Sequence, residues 1–561
     1  MILRGAPLPA VRHATIMEAL AAAARTPLGL TFLDAQEREA PLPFAELRAR
    51  ALRLAGALRA IGVERGDRVA IVLPTGVDFM DAFFGALLAG AVPVPLYPPV
   101  RLGRLEEFHA RTARMIEVVS ARVVLSDARV SKLLGVSLAR ARPPLGRRLV
   151  AELLDAQPHA PDGAGPDRAS AGTEQAGPGD LALIQFSSGT TVDPKPVALT
   201  HANILSNVAA IDTFVPEDLG VPQAGVSWLP LYHDMGLIGC LLMAVAHPGP
   251  LTLLPPEVFL AKPALWLRAI SRKRATISVA PNFAYGLCVK RIRDEELEGV
   301  DLSSWQLALN GAEPIAPAVL RRFAERFAKF GFDERALTPV YGLSEASLAV
   351  TFTPRRRGPR LGDAVSVGLP LPGVEVRVTD SRVFVRGPSV MRGYFGNDAA
   401  TAVVLRDGWL DTGDLGFIED GELYVSGRAK ELVILRGKNF APQEFEDALD
   451  ALDGVRAGCA VAVGVPTDDG EELALLVEGD ADPEAIRTRV LERTGIRAHR
   501  VEMLASGTLP RTSSGKLRRG EARRQLLEGE LRPPDRVNAV TVVKEMARSW
   551  LAPLVERGPA K

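Results

Sequence analysis

Ile184-Gln185-Phe186-Ser187-Ser188-Gly189-Thr190-Thr191-Val192-Asp193-Pro194-Lys195 decides how this chain is read. The apolar run 181–186 predicts a buried strand, and it opens directly onto hydroxyls, a glycine and a late lysine. Those are the parts of a phosphate cradle: hydroxyls and backbone N–H groups wrap phosphate oxygens, and Gly189 lets the backbone come close. Pro194 stands where a Walker A loop has its second glycine before lysine, which excludes that motif. Serine, threonine and glycine runs are more often plain loops, so the stretch needs partners elsewhere in the chain before it means a site.

Working outward, residues 44–61 carry apolar side chains at helical spacing and 69–73 form an apolar run. The pattern repeats, with helices predicted at 78–89 and 108–119 and strands at 92–95 and 123–125. Such alternation implies a parallel sheet flanked by helices. It continues through strands near 226–228, 251–254, 277–279 and 307–309. Residues 155–180, rich in Ala, Gly, Pro, Asp and Ser, read as a surface loop. From 374 to 385 the residues alternate and are β-rich, and 421–425 adds a short strand, which suggests a smaller β subdomain before a compact α+β stretch at about 431–530. In the last thirty residues Val542, Val543, Met546, Trp550, Leu551 and Leu554 fall at roughly helical spacing. That tail is expected to be an amphipathic helix docked on its own protein, with membrane or partner binding as the alternative.

At 561 residues the chain exceeds a single core. Its 67 basic and 67 acidic side chains cancel, which argues against a nucleic-acid partner. Cys240, Cys288 and Cys459 have neither disulfide-framework nor zinc spacing and fit a reduced, cytoplasmic protein. No secretory signal opens the chain. The long uncharged run 82–100 contains Pro93, Pro95, Pro98 and Pro99, which rule out a membrane-spanning helix.

Four further segments carry chemistry. Asn310-Gly311-Ala312-Glu313-Pro314 and Val340-Tyr341-Gly342-Leu343-Ser344-Glu345 each follow a predicted strand, where ligands collect in open parallel sheets. Tyr341 suits stacking on a base and Glu345 suits a Mg²⁺ shared with phosphates, against the plainer readings of a half-buried tyrosine and a capping glutamate. Asp411-Thr412-Gly413-Asp414-Leu415-Gly416 reads as a tight glycine turn whose carboxylates suit a ribose diol, with Arg428 close downstream. Leu509-Pro510-Arg511-Thr512-Ser513-Ser514-Gly515-Lys516 sets one lysine in a hydroxyl-rich turn of a chain in which only 11 of the 67 basic residues are lysine. A lysine there is a compact, mobile point charge for an anion, where arginine would offer a rigid fork. GxSxG, HExxH and GxGxxG are all missing, so hydrolase, zinc-protease and dinucleotide readings have no support.

With these segments in this order, over nearly its whole length the chain resembles the adenylate-forming superfamily of acyl-CoA synthetases, luciferases and peptide-synthetase adenylation domains. Val94-Pro95-Leu96-Tyr97-Pro98-Pro99, Ser227-Trp228-Leu229-Pro230-Leu231-Tyr232-His233-Asp234-Met235-Gly236 and Ala280-Pro281-Asn282-Phe283-Ala284-Tyr285 look like fatty acyl-AMP ligases. The resemblance implies an α/β fold: a large N-terminal AMP-binding domain at 1–427 of two doubly wound sheets plus a β-rich subdomain, a hinge at 428–431, a small mobile α+β domain at 432–530 and a helical tail at 531–561. It implies that Ser187, Ser188, Gly189, Thr190, Thr191 and Lys195 contact ATP phosphates, with Gly311, Ala312, Glu313, Gly342 and Ser344 also at the nucleotide. Tyr341 would stack on adenine, Asp414 would hold the ribose with Arg428 nearby, and Glu345 would bind Mg²⁺. Lys516 would be the catalytic lysine, Lys430 the hinge, and His233 and Phe283 would lie beside an acyl pocket.

Implied with them are ATP and Mg²⁺, a fatty acid, and CoA or the phosphopantetheine of an acyl carrier protein as acceptor. The alternatives are an AMP-forming acyl-CoA synthetase and, in another class, an inactive nucleotide- or acyl-binding regulator. Three departures stand out: Pro196 follows Lys195 where the family has glycine, Ser344 replaces threonine or alanine, and the segment 347–376 is too short for the insertion that fatty acyl-AMP ligases carry there.

Overall fold

The computed structural model describes residues 1–99, 102–156, 176–187, 195–215, 223–362, 364–435, 438–449, 452–467, 470–512, 515–534, 545–549 and 552. It is a mixed α/β structure with several sheets. The largest runs in the spatial order Leu369–Pro370, Ala349–Phe352, Leu337–Gly342, Leu307–Asn310, Ile277–Ala280, Gly225–Ser227, Leu251–Leu253, Gly29–Leu33 and Glu39–Pro43. From Leu337–Gly342 across to Gly29–Leu33 neighbours are parallel, and both edges turn antiparallel. A second, all-parallel sheet holds Val92–Leu96, Arg68–Val72, Val123–Ser126 and Arg147–Leu149, in that order. Val92–Leu96, Arg68–Val72 and Val123–Ser126 are buried almost throughout, which is why they read as apolar runs, whereas Arg147–Leu149 is a largely exposed edge.

The expected buried strand Leu181–Phe186 is present; it pairs antiparallel with Pro196–Thr200, which in turn pairs with Gly393–Tyr394. One local expectation is corrected: residues 411–416 are not a tight turn, for they lie within the strand Trp409–Glu419, which pairs with Arg382–Arg386 on one side and Glu422–Arg428 on the other. Asp and Gly suggested a turn, but the pairing on both sides outweighs that propensity. The irregularity survives as a register shift at Leu415/Gly416 and a left-handed Gly413 (φ +75°).

An aromatic cluster braces the strands that end at the cavity described below. Trp228 stacks on Phe259 with centroids 3.9 Å apart, and Trp266, Tyr285, Trp305 and Phe323 meet edge to face. Their polar tips are spent on the sheet: Trp266 Nε1 donates to Ser278 Oγ (2.9 Å) and Tyr285 OH to the Leu309 carbonyl (2.9 Å).

The C-terminal stretch builds its own sheet from Val455–Thr467, Gly470–Gly479 and Arg500–Leu504. One face of it packs Phe445, Leu449, Leu475 and Ile486, the other Val461, Leu476, Leu509 and Leu526. In the tail, residues 545–549 are helical and sit against the large body, where Gly135 N donates to Ser549 Oγ (2.5 Å) and His109 Nε2 meets Glu545 (3.1 Å). Val542, Val543, Trp550, Leu551 and Leu554 lie outside the described residues, as does most of the expected loop at 155–180. Among the described residues no helix is long and apolar enough to cross a membrane.

Candidate active site

Side by side, the strands Ile277–Ala280, Leu307–Asn310 and Leu337–Gly342 run parallel, and their carboxyl ends open on one cavity of about 300 Å³. Ser187, Lys195, His233, Ala312, Tyr341, Gly342, Ser344, Glu345, Arg428, Lys430 and Lys516 all line it. Residues from the phosphate-type loop, both strand-end motifs and the C-terminal turn therefore share one space. Gly311 is a packing glycine, since a Cβ there would lie 2.7 Å from Val340 Cγ2. Gly342 lines the cavity and also packs tightly, because a Cβ would lie 1.8 Å from the Leu348 carbonyl oxygen. Ala312 is held at φ +68°, a strained conformation for a residue with a Cβ. Phe283 packs on Trp228 at 6.0 Å and is not among the lining residues, although its backbone N–H donates to Glu313 Oε1 (2.6 Å). Ser188, Gly189, Thr190 and Thr191 lie outside the described residues.

At one end Tyr341 OH donates to Asp414 Oδ2 (2.6 Å) and Arg428 Nε donates to Asp414 Oδ1 (3.0 Å). Burial pushes the Asp414 carboxyl up while Arg428 opposes the shift. At the centre stands Asp234, which the sequence reading quoted without assigning it a role. His233 Nδ1 lies 2.6 Å from Asp234 Oδ1, and Ser344 Oγ donates to Asp234 Oδ2 at 2.5 Å. Burial would raise this carboxyl, yet His233, Ser344 and Lys516 carry it well below the usual carboxylate range. Glu313 shows the opposite balance, pushed up by burial against the Phe283 N–H and Lys516.

Lys516 is delivered by a turn in which Thr512 N donates to the Lys516 carbonyl (2.7 Å) and Lys516 N to Thr512 Oγ1 (3.0 Å). Gly515 makes that turn possible at φ +94°. Burial lowers the Lys516 pKa, and the carboxylates of Asp234, Glu313 and Asp414 resist the shift. Lys516 is thus faced by carboxylates that belong to the large body.

Beyond His233 the lining becomes apolar: Ile211, Met235, Gly239, Leu348 and Phe352. Gly239 sits in a π-helical turn, Leu237–Leu242, and a Cβ there would lie 2.7 Å from Leu348 Cδ2. Such turns concentrate at functional sites. The arrangement offers a cationic and hydroxyl-lined end for an anion and a greasy end for an alkyl chain.

Tyr394, also unassigned from sequence, donates its OH to Glu345 Oε1 (3.0 Å) and lies under the Lys195 ammonium. Local sequence around Arg392-Gly393-Tyr394 carries no signal of this, because the contact spans 49 residues. Among the described residues no group of three or more His, Cys, Asp or Glu side chains could hold a metal ion. Glu345, a carboxylate on the cavity wall beside Lys195, suits a Mg²⁺ that arrives with a nucleotide, since Mg²⁺ takes one or two carboxylates and fills its shell with phosphate and water.

The family profile described as AMP-binding enzyme matches residues 20–395. The chain belongs to this family of AMP-binding, adenylate-forming enzymes. It is 36% identical to a putative acyl-CoA synthetase of Caulobacter vibrioides over 92% of this chain and 96% of that protein. It is 30% identical to the medium-chain fatty acid acyl-carrier-protein ligase JamA of Moorena producens, over 88% of this chain and 93% of JamA. A structure from studies of fatty acyl-adenylate ligases of E. coli and L. pneumophila superposes with a TM-score of 0.85 at 31% identity, covering 93% of this chain and 99% of that one.

Proposed function

We propose that this protein activates a fatty acid with ATP, forming acyl-AMP and pyrophosphate, and passes the acyl group to the phosphopantetheine thiol of an acyl carrier protein. The single observation that carries the reading is Lys516, brought from the C-terminal module into the cavity that Tyr341, Glu345 and an apolar recess line. Relatives named for fatty acyl-adenylate formation and for ligation to a carrier protein support it.

The first step sets a carboxylate against the α-phosphate of ATP, two anions that repel. No general base is needed, because the acid is ionised at neutral pH. Lys516 sits between them as a preorganised cation, and its charge is maintained by Asp234 and Glu313. The head group would lie beside His233, with the alkyl chain running past Met235 and Gly239, which line the same cavity. Tyr341, hydrogen-bonded to Asp414 behind the cavity wall, would face the nucleoside, and Arg428 and Lys195 would flank the phosphates. Mg²⁺, held by Glu345, would neutralise the departing pyrophosphate.

In the second step a thiol attacks the acyl carbonyl and AMP leaves. Lys430 follows the strand Glu422–Arg428, at the point where the chain leaves the large body, so rotation there within a hinge at 428–431 would withdraw Lys516 and open a path for the thiol. In this reading 1–427 is the AMP-binding domain, built on two doubly wound sheets with a β-rich subdomain, and 432–530 is the mobile one.

A second reading, an AMP-forming acyl-CoA synthetase, is favoured by the short course of 347–376, where Ala349–Phe352 pairs directly back with Leu369–Pro370, and by the Caulobacter relative. Product analysis with ATP, Mg²⁺ and a fatty acid, with CoA or with a phosphopantetheinylated carrier protein, decides between them. Acyl-AMP that survives CoA and is consumed by the carrier supports the first, and acyl-CoA supports the second. The absence of AMP release with any acid overturns both.

A further inference from the structure

We propose that Tyr394 is a positioning residue that braces the lysine of the phosphate loop, Lys195, against the metal-binding carboxylate, Glu345, so that both cations of the site sit at a set separation across the nucleotide phosphates. The inference rests on the reading above, in which Glu345 carries Mg²⁺. The geometry is a relay of one side chain between two others. Tyr394 OH donates to Glu345 Oε1 at 3.0 Å, and Lys195 Nζ donates to the Tyr394 hydroxyl oxygen at 3.4 Å while standing 4.7 Å from the ring centroid. The ring therefore attracts the ammonium through its face, and the hydroxyl accepts from one partner and donates to the other.

The backbone around Tyr394 is tied to both partners as well. Phe395 N donates to the Pro196 carbonyl (2.8 Å) and Arg392 N to that of Ala198 (3.0 Å), which clamps this segment to the strand directly after Lys195. Met391 N donates to the carbonyl of Glu345 itself (2.8 Å). Tyr394 N is held by Thr401 Oγ1 (2.9 Å), and Gly393 lies at φ +154° with Thr401 Cγ2 2.9 Å from where a Cβ would be. A segment fastened on both sides leaves Tyr394 little freedom to be elsewhere. Without it the ammonium and the carboxylate would be free to collapse into a direct ion pair and leave neither available to the phosphates.

Tyr394→Phe removes the hydroxyl and keeps the ring, and Tyr394→Leu removes both. Binding of ATP by calorimetry, at stepped Mg²⁺ and without metal, separates them. Tyr394→Phe is expected to raise the Mg²⁺ needed for half-maximal tightening of ATP by roughly 5-fold, the weight of one hydrogen bond, with metal-free ATP binding unchanged. Tyr394→Leu is expected to weaken metal-free binding too. Since Tyr394 acts through Glu345, the double variant Tyr394→Phe/Glu345→Gln should be no worse than Glu345→Gln alone. A wild-type Mg²⁺ titration in Tyr394→Phe, or full additivity in the double variant, overturns the proposal. So does a fall in the thermal midpoint of Tyr394→Phe with no change in the Mg²⁺ titration. Fatty-acid-dependent pyrophosphate exchange in the unaltered protein tests the underlying reading separately, because ATP binding needs no acid.

Discussion

The cavity wall and the turn that carries Lys516 are held by opposite means. The wall grows from parallel strands whose side chains belong to one extended buried cluster, so Tyr341, Leu309 and Val279 are placed by close packing. The turn belongs to a module with separate cores around Phe445 and Val461. Its links to the large body are polar: Arg518 to Glu107 (3.2 Å), and Arg104 to the carbonyls of Thr508 (2.9 Å) and Gly507 (3.2 Å). The Arg518 side chain is buried, while Glu107 stays open to solvent. One side of the cavity is thus fixed by apolar packing and the other is joined through polar contacts, which suits the proposed entry of Lys516 for one step and its withdrawal for the next.

The largest expected effect tests whether the lodged cation matters at all. Lys516→Ala should lower fatty-acid-dependent ATP–pyrophosphate exchange by roughly 10²–10³, the size of removing one preorganised charge-stabilising group. Exchange at the wild-type rate would dissolve the contrast, because the fixed wall would then suffice. A second experiment asks whether wall and turn are coupled by charge. Burial lowers the Lys516 pKa, so adenylation should fall at alkaline pH as the ammonium deprotonates, below the pH at which a free lysine would. Asp234→Asn removes an anion that favours the ammonium and should move that limb about one unit lower. A limb that stays put would show that Asp234 and Lys516 do not sense each other. The smallest effect concerns the tail. A Cβ on Gly135 would lie 1.7 Å from the Ser549 carbonyl oxygen, so Gly135→Val should expose 545–549 to protease while changing pyrophosphate exchange less than about twofold. Unchanged cleavage would mean that the docked helix is not held at that contact.

Much of the fixed wall was legible in the sequence. The runs around Val69, Val279 and Leu309 alternate with helical stretches, and strand ends in such folds carry the ligand, which picked out Tyr341 and Glu345. The segment around Asp414 misled, since its glycines and carboxylates read as a turn until pairing with Arg382–Arg386 and Glu422–Arg428 drew it into a long strand. Asp234 was in plain view beside His233, but nothing local distinguishes a buried carboxylate held by Ser344 from an ordinary helix-start aspartate.

Local order along the chain, then, sufficed for the parallel strands, the loops at their ends and the turn with Lys516, because side-chain period, glycine and proline act over a few residues. The tertiary structure alone decided that Lys516 meets Asp234 and Glu313, and that Tyr394 lies between Lys195 and Glu345. Those encounters join residues tens to hundreds of positions apart, and burial and Coulomb interactions depend on separation in space, which spacing in the chain does not encode.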